Sequence, residues 1–439
     1  MLNRRGLLQM FGAAGTGLLV PAVPALAATG FTYYVSGGGN DANDGATPKT
    51  AFRTLQKAAD LTRPGDTVYV LDGDYSNPRQ NSNVLTIARS GAANAYITYS
   101  NYPDHKPRII AAASNWQGIR VLASYVVVQG FEVAGNAANI TYDYAYSQKD
   151  VTSNCATNAN GIYADGRAST LRNVVIRGNY VHHMPGSGIG ATGCDYLTFA
   201  DNDVHSCAWW TCYGCSGISV YSSRDVDSNT KRYKTIVRRN VSHDNENYIP
   251  NHYSGKIQDG NGIIIDDNKN TQHTDVPAYK GHTLVTNNLC YDNGGTGMHA
   301  YLSANVDIVN NTAFRNNRSP AVDNGEISAG DSTSVRLYNN VLSARGGKRC
   351  QHYWRNVDVQ FDYNVYHNGS VVVQGPNDIF ADPRFVNASV YPADADFRLL
   401  VGSPAMNSGT SKLAPPDDLV RNPRPTGGGI DRGSYEYLA

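Results

Sequence analysis

Val174-Val175-Ile176-Arg177-Gly178-Asn179 and Leu197-Thr198-Phe199-Ala200-Asp201-Asn202 repeat one short phrase, a β-branched or apolar strand that ends on asparagine. The phrase returns at Thr235-Ile236-Val237 to Asn240, Thr283-Leu284-Val285 to Asn288, Val306-Asp307-Ile308 to Asn311, Val335-Arg336-Leu337 to Asn340 and Val357-Asp358-Val359 to Asn364. From one terminal asparagine to the next the steps are 23, 38, 48, 23, 29 and 24 residues. Each such unit buries its apolar face only by stacking on its neighbours. The short steps match single turns of a parallel β-helix, and the long ones are turns that carry loop insertions. Asparagine suits the bend because its amide bonds local backbone and it tolerates left-handed geometry. Stacked coil on coil, these residues form a ladder. A helical repeat would need apolar stripes of period ~3.6, whereas these short strands alternate with period two between Gly and Asn.

A second strand series lies between the asparagine bends, and each member opens with glycine: Gly161-Ile162-Tyr163-Ala164-Asp165, Gly188-Ile189-Gly190-Ala191-Thr192, Gly217-Ile218-Ser219-Val220-Tyr221, Gly262-Ile263-Ile264-Ile265-Asp266 and Gly297-Met298-His299-Ala300-Tyr301. Side chains alternate along a strand, so Ile162, Ile189, Ile218, Ile263 and Met298 turn inward. Two outward columns follow. One holds Tyr163, Gly190, Ser219, Ile264 and His299; the other holds Asp165, Thr192, Tyr221, Asp266 and Tyr301. At a coil spacing of ~4.8 Å they make a long strip suited to an extended chain.

The fold class that follows is all-β: a single-stranded right-handed parallel β-helix, with a short N-terminal capping helix and long loop insertions. Residues 28–439 form one domain, divided into an N-terminal cap (30–75), coils (76–385) and a C-terminal cap (386–439). Both ends need a cap, because a bare coil exposes apolar core and an unpaired strand edge. Insertions at about 134–160, 222–233, 245–260 and 268–281 enter beside the Gly-led strands and are expected to wall a cleft. Tyr142, Tyr144, Tyr146, Trp209, Trp210, Tyr213, Tyr248 and Tyr253 lie in or beside these loops, where ring faces can stack on sugars.

Composition agrees with a turn-rich surface of amphipathic rings: 43 Gly and 29 Tyr stand beside only 10 Phe. Lys+Arg and Asp+Glu are both 37, with no long basic run, which argues against a nucleic-acid partner. Residues 1–27 read as an export signal of the twin-arginine type, from Arg4-Arg5 through an apolar run to Ala25-Leu26-Ala27. That run is shorter than the ~20 residues a membrane span needs, and no other segment is long and apolar enough. A periplasmic or secreted monomer is expected. The seven cysteines allow up to three disulfides in an exported chain. The Cys207, Cys212 and Cys215 cluster reads as a loop disulfide rather than a metal site, since no second paired set accompanies it.

At both ends the chain carries further motifs: Tyr34-Val35-Ser36 with Asn43-Asp44-Gly45, Pro64-Gly65-Asp66-Thr67-Val68, Ser403-Pro404-Ala405-Met406-Asn407-Ser408-Gly409 and Asp431-Arg432-Gly433-Ser434-Tyr435-Glu436. With these it resembles, over nearly the whole mature chain, the bacterial right-handed β-helix proteins that include the family 9 pectate lyases. The resemblance implies a polysaccharide substrate. Those lyases hold calcium with several Asp on neighbouring coils and use a Lys base soon after a Gly-Asn-Gly turn. Here Gly260-Asn261-Gly262 runs into Ile263-Ile264-Ile265 with no Lys in the strand, so that mechanism does not carry over. Calcium stays an open cofactor. The segment Gly262 to Asp267 is similar to the Gly-Ile-Tyr-Leu-Asp-Asp type found in some β-helix glycosidases.

A uronate lyase needs a charge neutraliser, a base for the C5 proton and an acid for the leaving oxygen; a glycosidase needs two carboxylates. Asp259, Asp266 and Asp267 crowd one coil, and His299 with Tyr301 follows on the next. This is the expected centre of the site, with like-charge crowding raising one carboxylate pKa unless a cation or Lys256 offsets it. The leading expectation is a lyase acting on an acidic glycan, with His299, Tyr301 or Tyr221 as base and acid and with Asp266 and Asp259 placing substrate or a calcium ion. The alternative is a glycoside hydrolase pairing Asp266 or Asp267 with Glu326, and a third is a non-catalytic carbohydrate-binding protein. Tyr163, Asp165, Trp209, Trp210, Asp323, Arg349 and His352 complete the expected substrate contacts. His182-His183 has the look of a metal pair, but adjacent strand residues face opposite ways.

Overall fold

The computed structural model describes residues 30–273 and 275–438; the expected export signal lies outside them. Three long parallel sheets wrap one core. Two have 11 strands, the first running from Thr32–Val35 to Val357–Asp362 and the second from Asp74–Ser76 to Ile379–Phe380. The third, called the groove sheet below, has 9 strands from Ser82–Ile87 to Gln351–Trp354. Each coil visits the groove sheet, the first sheet and the second sheet in turn, as in Asn160–Asp165, Leu171–Arg177 and Tyr180–His182. The result is a right-handed parallel β-helix. No helix among the described residues is long and apolar enough to cross a membrane.

The asparagine ladder runs unbroken. The Asn179 Nδ2 donates to Asn202 Oδ1 at 3.1 Å, and the same bond links Asn202 to Asn240 (2.9 Å), Asn288 (2.9 Å), Asn311 (3.0 Å), Asn340 (3.1 Å) and Asn364 (3.0 Å). Each amide also donates to a carbonyl of the preceding coil, as Asn202 does to Ile176 at 3.0 Å. One amide thus ties three coils. Left-handed geometry falls on the residue before the ladder asparagine, at Gly178, Asp201, Arg239, Asn287, Asn310, Asn339 and Tyr363, with φ between 54 and 63°. Six of those seven are not glycine, and a strained conformation of this kind costs about 1–3 kcal/mol each. The ladder bonds offset it.

A second ladder lies five residues beyond the first on three of the coils, at Asn245, Asn293 and Asn316. The Asn245 Nδ2 donates to Asn293 (2.9 Å), Asn293 to Asn316 (2.8 Å), and Asn316 donates through both its N–H groups to the carboxylate of Glu326 (2.9 and 2.5 Å). Glu326 is fully buried at the end of this row.

The short helix Leu55–Ala59, capped by the Thr54 hydroxyl, lays Leu55, Ala58 and Ala59 over the N-terminal end of the stack. The far end is closed differently from expectation. Val371 and Val373 pack on the last coil, while residues from Phe385 onward run along the side of the solenoid. There Phe385, Phe397, Leu399 and Leu419 join Tyr291, Phe314 and Val341 in a second apolar cluster. Asp417 pairs with Arg239 at 2.7 Å, Asn310 donates to the Asp431 carbonyl at 2.8 Å, and Arg432 donates to the Asn364 carbonyl at 3.0 Å.

All seven cysteines are free, so the expected disulfides are absent. Cys194, Cys207, Cys290 and Cys350 face the coil interior as small core residues. Cys207 therefore points away from Cys212 and Cys215, which stay on the loop beyond it.

Candidate functional site

Strand pairing aligns the two outward columns residue for residue. Arg120, Tyr163, Gly190, Ser219, Ile264, His299, Ser328 and His352 stand in one; Asp165, Thr192, Tyr221, Asp266, Tyr301, Gly330 and Trp354 stand in the other. Above them lies a groove of about 1290 Å³. All four insertions line it, through Thr152 and Asn158, Ser222 and Arg224, Tyr253 and Asp259, and Gln272 and His273. One wall is anchored by Lys234, a wholly buried ammonium that holds Asp195 at 2.8 Å, Asp225 at 2.8 Å and Asp227 at 3.1 Å. Tyr279 donates to Asp195 at 2.9 Å and Lys280 N–H to Asp225 at 2.7 Å, so the insertions at 222–233 and 268–281 are tied to one another.

The floor gathers Asp259, Asp266, Tyr221, Tyr301 and His299. Asp266 sits between Tyr221 and Tyr301, one coil step of ~4.8 Å from each. Among the described residues its Oδ1 has no hydrogen-bond partner, nor do His299 Nδ1 and Ser328 Oγ on the neighbouring column. Asp259 enters from the wall through a turn with φ of 62° at Asp259 and 69° at Gly260, and accepts from Asn261 Nδ2 at 3.0 Å. Burial raises the Asp259 pKa to about 6. Burial, reinforced by the charges of Asp259 and Asp267, pushes Asp266 well above the usual carboxylate range. Burial beside His352 lowers the His299 pKa to about 3, so its ring is neutral in ordinary buffers.

Several sequence-based expectations are corrected by this geometry. Asp267 is fully buried and caps the next loop, accepting from Thr271 N–H (2.7 Å), Thr271 Oγ1 (2.8 Å) and Gln272 N–H (2.8 Å). Glu326 ends the inner ladder and does not reach the groove, because the residue before an inward Ile327 sits in the bend. Trp209 and Trp210 lie outside the wall: Trp210 donates to the Ala137 carbonyl at 2.8 Å, and both rings pack with Tyr248. Tyr142, Tyr144 and Tyr146 are on the helix Tyr142–Ser147, exposed to solvent and away from the groove lining. Lys256 is exposed on its loop and absent from the lining, and Arg349 pairs with Asp323 at 3.2 Å just outside it.

Tyr163 and Asp165 do line or underlie the groove, at its N-terminal end. The Tyr163 ring lies across Gly190 of the next coil, where a Cβ would come within 2.7 Å of it, and its hydroxyl meets Thr192 at 2.6 Å. Asp165 is clamped by Arg167 at 2.8 and 2.7 Å and by Arg120 at 2.7 Å. Arg224 reaches the Arg167 carbonyl, and the buried Nε of both Arg120 and Arg224 has no partner. Two guanidinium groups on one carboxylate, with a third on the Arg167 carbonyl, leave this end positive. These arginines, with Trp116, Trp354 and His273, are groove residues that sequence reasoning missed. Extending the column alternation one coil back finds Arg120 and two coils forward finds Trp354; nothing in the periodicity marks Trp116 or the loop residues.

Calcium does not fit this floor. Among the described residues no cluster of three or more His, Cys, Asp or Glu side chains is placed to hold a metal. Asp165 and Asp267 spend their oxygens on arginines and backbone.

A family model described as a Pel9A-like, right-handed β-helix region matches residues 33–328. Among solved structures, the pectate lyase Pel9A is similar over 94% of this chain and 97% of its own, with 16% identity and a TM-score of 0.52. The xylose complex of XylC matches over 93% and 98%, at 11% identity and a TM-score of 0.46. A lacto-N-biosidase from Eubacterium ramulus matches over 77% and 56%, at 16% identity and 0.44. No curated protein sequence matches the chain.

Proposed function

We propose, because the chain belongs to the Pel9A-like right-handed β-helix family, that its groove binds an extended polysaccharide and cleaves it, by hydrolysis at the Asp259 and Asp266 pair. The observation that carries this reading is the Oδ1 of Asp266, which has no hydrogen-bond partner among the described residues and belongs to a buried carboxyl group pushed well above the usual carboxylate range beside Asp259. Asp266, whose acid form burial and the neighbouring carboxylates favour, donates its proton to the glycosidic oxygen. Asp259, ionised above about pH 6, supplies the carboxylate that attacks the sugar or activates water. Tyr221 and Tyr301 offer ring faces to the sugars on either side. The positive end at Arg120, Arg167 and Arg224 stands three coil steps from Asp266, roughly 14 Å at ~4.8 Å per step, and favours a glycan that carries anionic residues.

β-Elimination on a uronate is a second reading, favoured by the neutral, unpartnered His299 Nδ1 beside Tyr301. It needs a cation or an acid to neutralise the uronate carboxylate, and the arginines lie coils away. Export to the periplasm or the medium belongs to the same proposal and rests on Arg4-Arg5 and Ala25-Leu26-Ala27; cell fractionation checks it. The decisive experiment incubates pure protein with uronate-containing and neutral polysaccharides. Hydrolysis yields reducing ends with no ultraviolet absorbance from an unsaturated uronate, and both Asp266→Asn and Asp259→Asn abolish them. Unsaturated product that survives Asp266→Asn and disappears in His299→Ala overturns hydrolysis in favour of elimination. Binding without product on any glycan makes the protein a carbohydrate-binding module.

A further inference from the structure

Outside the groove, the second sheet carries the histidine pair that strand alternation would split. Tyr180–His182 is a strand, but His183 leaves it with φ of 55°, which turns its ring to the same side as His182. The two Nδ1 atoms stand 2.7 Å apart. Nitrogens at that distance share a proton, because two lone pairs or two N–H groups would repel. The carboxylate of Glu132, 3.4 Å from His182 Nε2, accepts only, so it assigns the His182 proton to Nε2 and leaves Nδ1 as a lone pair. His183 Nδ1–H is then the donor.

Neighbouring rings orient both imidazoles. His205 stacks on His182 at 5.3 Å and 9°, Tyr180 tilts against it at 4.9 Å, and Trp209 meets His183 edge-on at 5.7 Å. A histidine whose far nitrogen donates to a carboxylate is oriented as metal-ligating histidines are, with its other lone pair fixed in direction. The charged groups acting on the pair are Glu132, Asp203 and Arg108.

We propose that the His182 and His183 Nδ1 atoms bind one divalent transition ion of the imidazole-preferring class, Zn²⁺ or Cu²⁺, in place of the shared proton. That proton moves through solvent to His183 Nε2, so each ring stays neutral. An ion at ~2.0–2.1 Å from each nitrogen needs them slightly over 3 Å apart, an opening of roughly 0.6 Å that small ring rotations supply. Water fills the remaining positions. Glu132 is a positioning residue that acts through His182.

Calorimetric titration of the untagged chain with ZnCl₂ tests this, together with the Cu²⁺ paramagnetic resonance spectrum. The expected result is one Zn²⁺ per chain, no heat with CaCl₂, and two-nitrogen hyperfine structure from Cu²⁺. His182→Gln and His183→Gln should each weaken Zn²⁺ binding at least 30-fold and leave one nitrogen in the spectrum, while Glu132→Gln weakens it about 10-fold. Circular dichroism confirms that the variants keep the fold. Stoichiometric binding that persists unchanged in His183→Gln overturns the proposal, as does no binding to the native chain at millimolar Zn²⁺.

Discussion

Replacing Glu326 by glutamine should flatten part of the pH dependence of stability. Burial at the end of the inner ladder pushes this carboxyl from an ordinary value of 4.5 to about 8, against the pull of the two Asn316 N–H groups. Between those values the folded chain holds a proton that the unfolded chain releases. The stabilising contribution is therefore complete below about pH 4.5 and is lost as pH rises towards about 8. At about 1.4 kcal/mol per unit, the shift is worth about 5 kcal/mol over that window. Glu326→Gln stays uncharged throughout. It should be level with the native chain, or slightly weaker, at the acid end and more stable by several kcal/mol at the alkaline end. Urea midpoints of both proteins, followed by circular dichroism across the window, give the difference directly, and other titrating groups cancel. Parallel profiles would show that Glu326 is ionised or solvated in the folded state and that the ladder does not end on a buried acid.

Lys234→Met leaves Asp195, Asp225 and Asp227 without their common cation, and removing one partner of a buried ion pair costs about 3–5 kcal/mol; thermal melting should fall accordingly, and glycan affinity with it as the groove wall loosens. Asn288→Ala strips acceptors from the Asn240 N–H and Nδ2, each then costing about 1–3 kcal/mol unsatisfied, whereas Asn387→Ala on the exposed surface should leave the urea midpoint unmoved. If Asp259 must be ionised and Asp266 protonated, kcat/KM rises with pH through about 6 and falls again at higher pH. A profile flat across the acid limb separates Asp259 from the chemistry.

The coil architecture was legible because one residue type, asparagine, recurs where the chain bends and its chemistry demands a stacked partner. The columns were legible for the same reason: period-two alternation fixed the directions of Tyr163, Asp266 and His299 once the rungs were aligned. What bends obey was harder to read. The left-handed residue precedes the ladder asparagine, and at His183 the same conformation reverses a direction that alternation had assigned. The inner ladder left a signal in the constant offset of five residues from Asn240, Asn288 and Asn311 to Asn245, Asn293 and Asn316. Without it, Glu326 passed for a rare functional acid rather than the acceptor that closes a row. Asp267 followed a strand and was free in sequence to face either way; three donors from Thr271 and Gln272 decided it. Loop aromatics such as Trp209 carry no periodicity, so their side of the wall was beyond any repeat-based reading.

A solenoid whose rungs touch only adjacent rungs is free to fray from either tip, one layer at a time. The chain from Phe385 onward changes that, because it is fastened at Arg239, Asn310, Asn339 and Asn364 and so bridges layers that are not neighbours. Those layers share a single opening event, like planks nailed to a common batten. Amide exchange should accordingly be slow and uniform from Arg239 to Asn364 and graded in the rungs before it.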